Sequence, residues 1–359
     1  IGALASYAAR VSNLSVFVRG QNKLSSVLTA TGPDALDLDD NTFQRNVGGG
    51  INQLGVFQHG GKQQYFKGNR NDASGPSPEL EGELIAAAES GNVAEQQRLF
   101  KEQMAMVTLN DVATTAGIST TDARLANRDV AMYRLDQLLG ANLIARTQFA
   151  IRNTATGPQL GSLMVGAQGM KAGDMVQNNQ FAKDSTDKQN RGGDTVNVQD
   201  PNLQRLLSRL QLLDTLAFQV DRNLGNFYVQ YDGQGNVTGI TGIDNDMSFG
   251  DKTGIRTRAQ ELPGLARYVD REMAERIIGL DPALVAIILS DVLNPAEIGA
   301  LSVRLLALRQ ALIQMRGANQ LLDPNQWDQV MAQNQKDDIE PGIKQDRTTY
   351  YGQVAKDVN

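Results

Sequence analysis

Residues 214–250, DTLAFQVDRNLGNFYVQYDGQGNVTGITGIDNDMSFG, contain two acidic clusters: DRNLGN, starting at Asp221, and DND, starting at Asp244. The residues between them, FYVQYDGQGNVTGITGI, predict two short strands joined by a glycine-rich turn. Because a tight hairpin brings its ends together, Asp221, Asn226 and Asp244 are expected to converge. Two carboxylates and one amide are oxygen ligands that suit Mg²⁺ beside phosphate oxygens. Asp, Asn and Gly are also ordinary turn residues, so either cluster alone has a purely structural explanation.

The two clusters resemble the functional loops of a known family. DRNLGN resembles the catalytic loop, and GIDNDMSFG the metal-binding loop, of the phosphatidylinositol 3-/4-kinase-like branch of the protein-kinase fold. Type II phosphatidylinositol 4-kinases and related bacterial effector kinases are the most similar members. The resemblance implies that Asp221 is the catalytic base, that Asn226 and Asp244 bind metal, and that Asp246 is a second acidic group there. Many lipid kinases have His where this chain has Asn223, which leaves proton transfer to Asp221 or implies an inactive protein.

The composition restricts the class of protein. With 359 residues, 41% hydrophobic and 21% charged, the chain is typical of a soluble globular protein of one or two domains. No apolar run approaches the roughly 20 residues that a membrane span requires. The sequence has no cysteine and a single histidine, His59, which excludes disulfides, thiolate metal sites and multi-histidine zinc sites. The net charge of −6 does not favour nucleic-acid binding, which requires a basic face.

A glycine-rich hairpin precedes these motifs. The segment VGGGINQLGVFQHGGKQQYFKGN predicts two strands, with Gly49 and Gly50 in the turn before them and Lys67 at the end of the second. Glycines allow backbone N–H groups to approach phosphates closely. In the order of kinase motifs, Lys67 matches the ATP-binding lysine, and YFK resembles the VFKP motif of the type II lipid kinases. Without the downstream loops, Lys67 would be interpreted as a surface lysine on a strand.

The helical segment RDVAMYRLDQLLG places Asp129 where the kinase family has a helix glutamate that pairs with the ATP-binding lysine. We therefore expect a Lys67–Asp129 pair, with Glu81 or Glu83 as substitutes. Asp129 could also be a first-turn acid that the helix dipole favours. The strands that follow lead to Val165-Gly166-Ala167. In the family this would be the hinge, where Val165 and Ala167 lend backbone groups to adenine.

The resemblance implies an α+β, two-lobed protein-kinase-like fold with a small β-rich N-lobe and a larger, mainly helical C-lobe. The N-lobe is expected at 46–165 and the C-lobe at 166–331, after an N-terminal extension at 1–45. A polar insertion at 176–198 is expected to be mobile. The tail at 332–359 is polar and is expected to be flexible. Asp200-Pro201 predicts a helix N-terminus before a leucine-striped core helix.

The implied function is an ATP- and Mg²⁺-dependent phosphotransferase, with Mn²⁺ as an alternative metal. Against a lipid acceptor stand the acidic balance, the lack of a juxtamembrane basic cluster and the absence of cysteine for palmitoylation. A protein Ser/Thr acceptor is therefore favoured, with phosphoinositide as the alternative. The Gln/Asn-rich composition resembles that of secreted bacterial effectors, which would place the substrate among host cytosolic proteins. A nucleotide-binding pseudokinase or scaffold, and transfer of AMP, remain alternatives.

Overall fold

The computed structural model describes residues 35–47, 54–154, 157–255, 265–328, 331–332, 349–356 and 358. These residues form a mixed α+β fold. The N-terminal half contributes a six-stranded sheet, and most of the helices belong to the C-terminal half. Gly49 and Gly50 lie outside the described residues.

The six-stranded sheet has the strand order β1-β5-β6-β4-β3-β2. Every neighbouring pair is antiparallel except β1 with β5. The strands are β1 (Leu36–Leu38), β2 (Phe43–Val47), β3 (Leu54–His59), β4 (Lys62–Gly68), β5 (Thr147–Thr154) and β6 (Gly157–Val165). The sheet therefore begins at Leu36, within the segment 1–45 that the sequence analysis set apart as an extension. Leu38 is buried against Phe57 and Phe66, which explains why this short strand belongs to the sheet.

Three helices lie between β4 and β5: α1 (Pro78–Glu89), α2 (Val93–Ala116) and α3 (Leu125–Leu139). The helix α3 is buried along most of its length and contributes Val130, Leu135 and Leu138 to the main core. It ends at Gly140, whose φ of 59° lies in the left-handed region that glycine adopts without strain. The helix predicted to contain Asp129 is thereby confirmed.

The C-terminal half is built around α6 (Pro201–Ala217), which packs against the strand pair that carries the two acidic loops. Asp200 caps α6 by accepting hydrogen bonds from the N–H groups of Asn202 and Leu203, as the Asp-Pro pair predicted. The remaining described elements are β7 (Met170–Lys171), α4 (Ala172–Gln177), β8 (Phe181–Ala182), α5 (Ser185–Arg191), β9 (Val196–Asn197), β10 (Phe227–Tyr231), β11 (Val237–Gly242), β12 (Val269–Asp270), α7 (Arg271–Ile278), α8 (Pro282–Leu289), α9 (Pro295–Gly317), β13 (Leu321–Leu322) and α10 (Tyr350–Ala355).

Two segments differ from the polar, mobile regions that the sequence predicted. Within 176–198, β8 pairs with β9, and the side chains of Phe181 and Val196 lie in the main core. Within 332–359, the described residues include α10, whose six residues are all buried. A few apolar side chains anchor each segment although its average composition is polar.

One helix in the described part of the chain, α9, is long and apolar enough to cross a membrane by length and composition. Its buried side chains include Leu301, Leu305, Leu308 and Leu312, all at 0% exposure in the main core. One face of α9 therefore packs into the main core.

Candidate active site

The hairpin of β10 and β11 brings the two acidic loops together. Phe227 pairs with Gly242 at the open end of the hairpin. One residue further out, the N–H of Ile243 donates to the carbonyl oxygen of Asn226 at 3.0 Å. The loop that contains Asp221 and the loop that begins at Asp244 therefore leave the sheet side by side. The convergence predicted from the hairpin is confirmed.

Arg222 cross-links both loops from inside the protein. Its guanidinium forms a bidentate ion pair with Asp214 on α6, with N–O distances of 2.8 and 3.1 Å. The same group donates to the carbonyl oxygens of Asn226 at 2.7 Å and Ile243 at 2.6 Å, and to Asn245 Oδ1 at 2.6 Å. The side chains of Arg222 and Asp214 are 1% and 2% exposed. A planar fork of donors is required for this arrangement, which lysine could not reproduce.

The carboxylate of Asp221 is held by two amides of its own loop. Asn226 Nδ2 donates to Asp221 Oδ2 at 3.2 Å and to the Asp221 carbonyl oxygen at 2.7 Å, and Asn223 Nδ2 donates to Asp221 Oδ1 at 3.3 Å. Burial and the nearby charge of Asp244 raise the pKa of Asp221, although these amides and Arg222 oppose the increase. Because the amide nitrogen of Asn226 is used in this way, its Oδ1 atom is turned away from Asp221 and can accept another partner.

Lys67 reaches across from the sheet to the second loop. Its Nζ atom lies 2.6 Å from Asp244 Oδ1 and 2.5 Å from Asp246 Oδ2. Burial lowers the pKa of Lys67, but the charges of Asp244, Asp246 and Asp129 outweigh burial and hold it well above its ordinary value. The lysine therefore stays charged at neutral pH.

The two carboxylates that contact Lys67 differ in environment. The Asp244 side chain is 44% exposed, and that of Asp246 is 6% exposed. The charge of Lys67 lowers the pKa of Asp244, whereas burial raises that of Asp246 to about 7. Asp244 faces the solvent-accessible side of the lysine, and Asp246 holds the lysine from the interior.

Asp129 has a different role from the one the sequence predicted. Within the described residues, the expected salt bridge between Lys67 and Asp129 does not form. Asp129 instead accepts hydrogen bonds from the N–H of Asn245 at 2.9 Å and from the Ser162 hydroxyl at 3.1 Å. Its carboxylate thus anchors the second loop to helix α3. The proposed substitutes, Glu81 and Glu83, are exposed on α1 and form no salt bridge with the lysine in the part of the chain that the structure describes.

The backbone of the second loop is strained at two positions, Asp244 and Phe249, and the φ of Phe249 is 59°. Asp244 has a φ of 54°, in the left-handed region that non-glycine residues rarely adopt. Its carbonyl oxygen accepts from Gln219 Nε2 at 3.1 Å, and Gln219 Oε1 accepts from the Asp221 N–H at 2.9 Å. Gln219 therefore bridges the two acidic loops. Unusual backbone conformations held by such surroundings are concentrated at functional sites.

A cleft of about 180 Å³ lies between the sheet and these loops. Its lining includes Lys67, Asp129, Asn226, Asp244, Lys171 and the side chains of Leu54, Tyr65 and Met164. Tyr65 and Lys67 are two residues apart on β4, and Ser162 and Met164, which pair with them, are two residues apart on β6. All four side chains therefore face the same side of the sheet. The cleft thus combines an acidic and basic floor with an apolar wall.

Val165 lines a separate cavity of about 320 Å³ together with Gln64 and Leu163, on the opposite face of the sheet. This larger cavity is remote from the acidic loops, so the smaller cleft is the better candidate site. The N–H of Val165 donates to the Arg146 carbonyl oxygen at 2.9 Å and is therefore not available to a ligand. Ala167 is half-buried just beyond β6 and does not line the cleft.

Several residues of the site were not singled out in the sequence, among them Lys171, Arg222 and Gln219. Lys171 lines the cleft, and its positive charge contributes to the low pKa of Asp244. Arg222 and Gln219 hold the loops together. Arg222 lies inside the quoted DRNLGN motif, so the motif itself carried the signal. Lys171 and Gln219 belong to no recognisable pattern.

The donor set can be compared with the needs of a metal ion. No group of three or more His, Cys, Asp or Glu side chains in the described residues is arranged to hold a metal. Asp244 and the Oδ1 atom of Asn226 both border the cleft and are hard oxygen donors. Asp246 contacts Lys67 and does not line the cleft, so it does not fit the ligand role that the resemblance implied.

No model of a protein family matches this chain, and no curated protein matches it in a sequence search.

Proposed function

We propose that the protein is an ATP- and Mg²⁺-dependent phosphotransferase of two-lobed, kinase-like architecture, and that it transfers phosphate to Ser/Thr hydroxyls of proteins. One observation carries the proposal. Lys67, on the sheet, contacts Asp244, which lies 177 residues away, at a cleft that Asn226 also lines. Two distant parts of the chain thereby bring together a lysine, an amide and a carboxylate, which are the side-chain types that phosphoryl transfer from ATP uses.

The order of elements supports the same proposal. In protein kinases the phosphate-binding lysine lies on the third strand, and the catalytic-loop Asp and Asn precede the metal-binding Asp along the chain. Here Lys67 lies on the third strand of the antiparallel run β2-β3-β4. Asp221, Asn226 and then Asp244 follow in that order. A fold-level analogy alone would not be sufficient, but here Lys67, Asn226 and Asp244 also line one cleft, and Asp221 is hydrogen-bonded to Asn226 beside it.

The oxygen donors fit Mg²⁺ better than a metal that needs a full protein cage. Mg²⁺ is commonly bound by one or two protein groups together with substrate phosphates and waters. Asp244 and Asn226 Oδ1 would hold it at the edge of the cleft. The bound ion would neutralise charge on the phosphate oxygens.

The chain's own residues would divide the remaining work. Lys67 provides a fixed positive charge for the phosphates, and the apolar wall of Tyr65 and Met164 suits an adenine ring. Asp221 orients the acceptor hydroxyl and accepts its proton. The hydroxyl oxygen forms a bond to the γ-phosphorus while the bond to the leaving oxygen breaks, and ADP departs. The raised pKa of Asp221 makes its carboxylate a better base.

The net charge of the chain favours a protein acceptor for the phosphate over a lipid acceptor. The chain has a net charge of −6, and inositol lipids lie in anionic membrane surfaces that attract basic segments. A protein hydroxyl places no such demand on the surface. Secretion by a bacterium and action on host cytosolic proteins would follow the resemblance stated above and belong to the same proposal.

Labelled ATP tests the function directly. The purified chain is incubated with Mg²⁺ and with ATP labelled at either the α- or the γ-position, alone, with casein, or with phosphatidylinositol vesicles. The expected result is γ-label on protein and none on lipid. Lipid labelling would overturn the protein acceptor, transfer of α-label would indicate AMP transfer, and binding without transfer would indicate a pseudokinase.

Matched variants assign the transfer to this cleft. Asp221→Ala and Asp244→Ala should each abolish labelling, and Asp244→Ala should also weaken Mg-ATP binding. Asp232→Ala is the control, because Asp232 is an exposed carboxylate in the turn of the same hairpin, and its hydrogen bonds to described residues all lie within that turn. Unchanged turnover of Asp244→Ala would refute the assignment of phosphate transfer to this cleft.

A further inference from the structure

The C-terminal helix α10 is buried against the helix that supports the catalytic loop. Tyr350, Tyr351 and Val354 are 3%, 2% and 0% exposed and belong to the main core. The N–H of Tyr350 donates to Gln211 Oε1 on α6 at 3.1 Å. A C-terminal segment that packs so fully can influence the element beneath it.

The hydroxyl of Tyr350 reaches the buried ion pair behind the acidic loops. It donates to Asp214 Oδ2 at 2.9 Å, the same oxygen that accepts from Arg222 Nε at 2.8 Å. Arg222 in turn holds the carbonyl oxygens of Asn226 and Ile243. A continuous chain of hydrogen bonds therefore runs from α10 to Asn226, just before β10, and to Ile243, just after β11.

This chain of bonds constrains geometry that the proposed reaction depends on. Asp214 uses both of its oxygens on Arg222, so a third donor fixes the remaining rotation of the carboxylate. The orientation of the Arg222 fork then sets the spacing of the two loops, one ending at Asn226 and the other starting at Asp244. Small displacements of reacting groups reduce rates strongly even when binding is retained.

We propose that Tyr350 is a positioning residue: through Asp214 it fixes the Arg222 fork, and so holds the Asp221 loop in register with the Asp244 loop. The inference rests on the proposed function for its effect on catalysis, but its structural part can be tested without catalysis. It also makes the C-terminal helix a part of the catalytic support.

The test compares two buried tyrosines of the same helix. Tyr350→Phe removes the hydroxyl that donates to Asp214 and keeps the ring. Tyr351→Phe makes the same chemical change at a side chain that is 2% exposed and whose hydroxyl forms no hydrogen bond to any residue the structure describes. The expected result for Tyr350→Phe is a kcat about tenfold lower, by analogy with misplaced catalytic groups, with KM for ATP within about twofold of the wild type. Tyr351→Phe should retain wild-type kcat.

Hydrogen–deuterium exchange provides the readout that does not depend on activity. In Tyr350→Phe, exchange should increase in peptides covering 219–226 and 243–249, and in Tyr351→Phe it should not. Thermal unfolding of both variants checks that the global fold is retained. Equal exchange and equal kcat in the two variants would overturn the inference.

The two hypotheses fail in different ways. If the wild type transfers no phosphate while Tyr350→Phe alone increases exchange in the two loops, the proposed function fails and the hydrogen-bond chain stands. If the wild type is active and Tyr350→Phe lowers kcat no more than Tyr351→Phe does, Tyr350 has no positioning role.

Discussion

Asp136 makes the stability of this protein dependent on pH in a direction opposite to that of most carboxylates. The side chain is 0% exposed, and its Oδ1 atom accepts from the Leu143 N–H at 2.8 Å. Burial raises its pKa from 3.8 to about 7, against the lowering effect of its hydrogen bonds. Asp136 thereby fixes the turn after α3. In the same turn, the Leu143 carbonyl oxygen accepts a hydrogen bond from the N–H of Gly242, at the end of β11.

The sign and size of the effect follow from proton linkage. Between the two pKa values the folded protein binds more protons at Asp136 than the unfolded chain does, so stability falls as pH rises. One pKa unit corresponds to about 1.4 kcal/mol, so the change from 3.8 to about 7 corresponds to about 4 kcal/mol in full. Between pH 5 and pH 8 the free energy of unfolding is expected to fall by about 3 kcal/mol, and it changes little above pH 8.

The neutral isostere isolates this contribution. Asp136→Asn has no proton to lose, so its free energy of unfolding minus that of the wild type should rise by about 3 kcal/mol from pH 5 to pH 8. Urea denaturation at several pH values measures the difference. Asp122→Asn, at a side chain that is 61% exposed, controls for the loss of one carboxylate. A difference between Asp136→Asn and wild type that stays constant within about 0.5 kcal/mol, a typical additivity error, would refute the argument.

Two further predictions concern the loop that carries Asp244. When Mg-ATP occupies the cleft, the cleft lysine must turn towards phosphate, which leaves Asp246 as its interior anchor. Asp246→Asn should therefore weaken Mg-ATP binding about tenfold, or about 1.4 kcal/mol, in a calorimetric titration, and Asp129→Asn should weaken it less; the reverse order would contradict these roles. Gly250→Ala should lower the free energy of unfolding by more than about 2 kcal/mol, because the added Cβ would clash with the carbonyl oxygen of Ala116. Gly254→Ala, which meets nothing within 4 Å, should leave denaturation unchanged.

The sequence predicted those features of the site that depend on local geometry. A short hairpin with Asp and Asn at its ends can only bring those ends together, so the meeting of the Asp221 loop with the Asp244 loop was accessible from spacing alone. The cap at Asp200 was equally local, because a helix N-terminus needs an acceptor at that position. Such features need no knowledge of the rest of the fold.

The partner of Lys67 could not be predicted in this way. Asp246 lies 179 residues further along the chain, and its choice over Asp129 depends on how α3 packs beside the second loop. A carboxylate on a helix can bond either to a lysine or to a backbone N–H, and Asn245 presents such an N–H at 2.9 Å. Tertiary packing decides from which of these two donors the Asp129 carboxylate accepts.

Average composition was misleading in the two polar segments. Phe181 and Val196 in one, and Tyr350 and Val354 in the other, are at most 3% exposed among polar neighbours. Burying a few large apolar side chains contributes about 1.5–3 kcal/mol each, which is enough to hold a short segment against a core. The apolar residues of such a segment are more informative than its mean polarity.

Electrostatics explains why the site needs two buried cations. Five carboxylates lie in or directly behind the cleft: Asp129, Asp214, Asp221, Asp244 and Asp246. Their mutual repulsion in a poorly solvated region would separate the loops. Arg222 binds the loops from behind and Lys67 from the sheet. Burial raises the pKa of Asp246 to about 7 and also raises that of Asp129, which further reduces the charge. Of the two acids on Lys67, Asp244 is the more exposed and has a lowered pKa, so it keeps its negative charge at the position where, in the proposed function, a divalent cation and its phosphate ligand would bind.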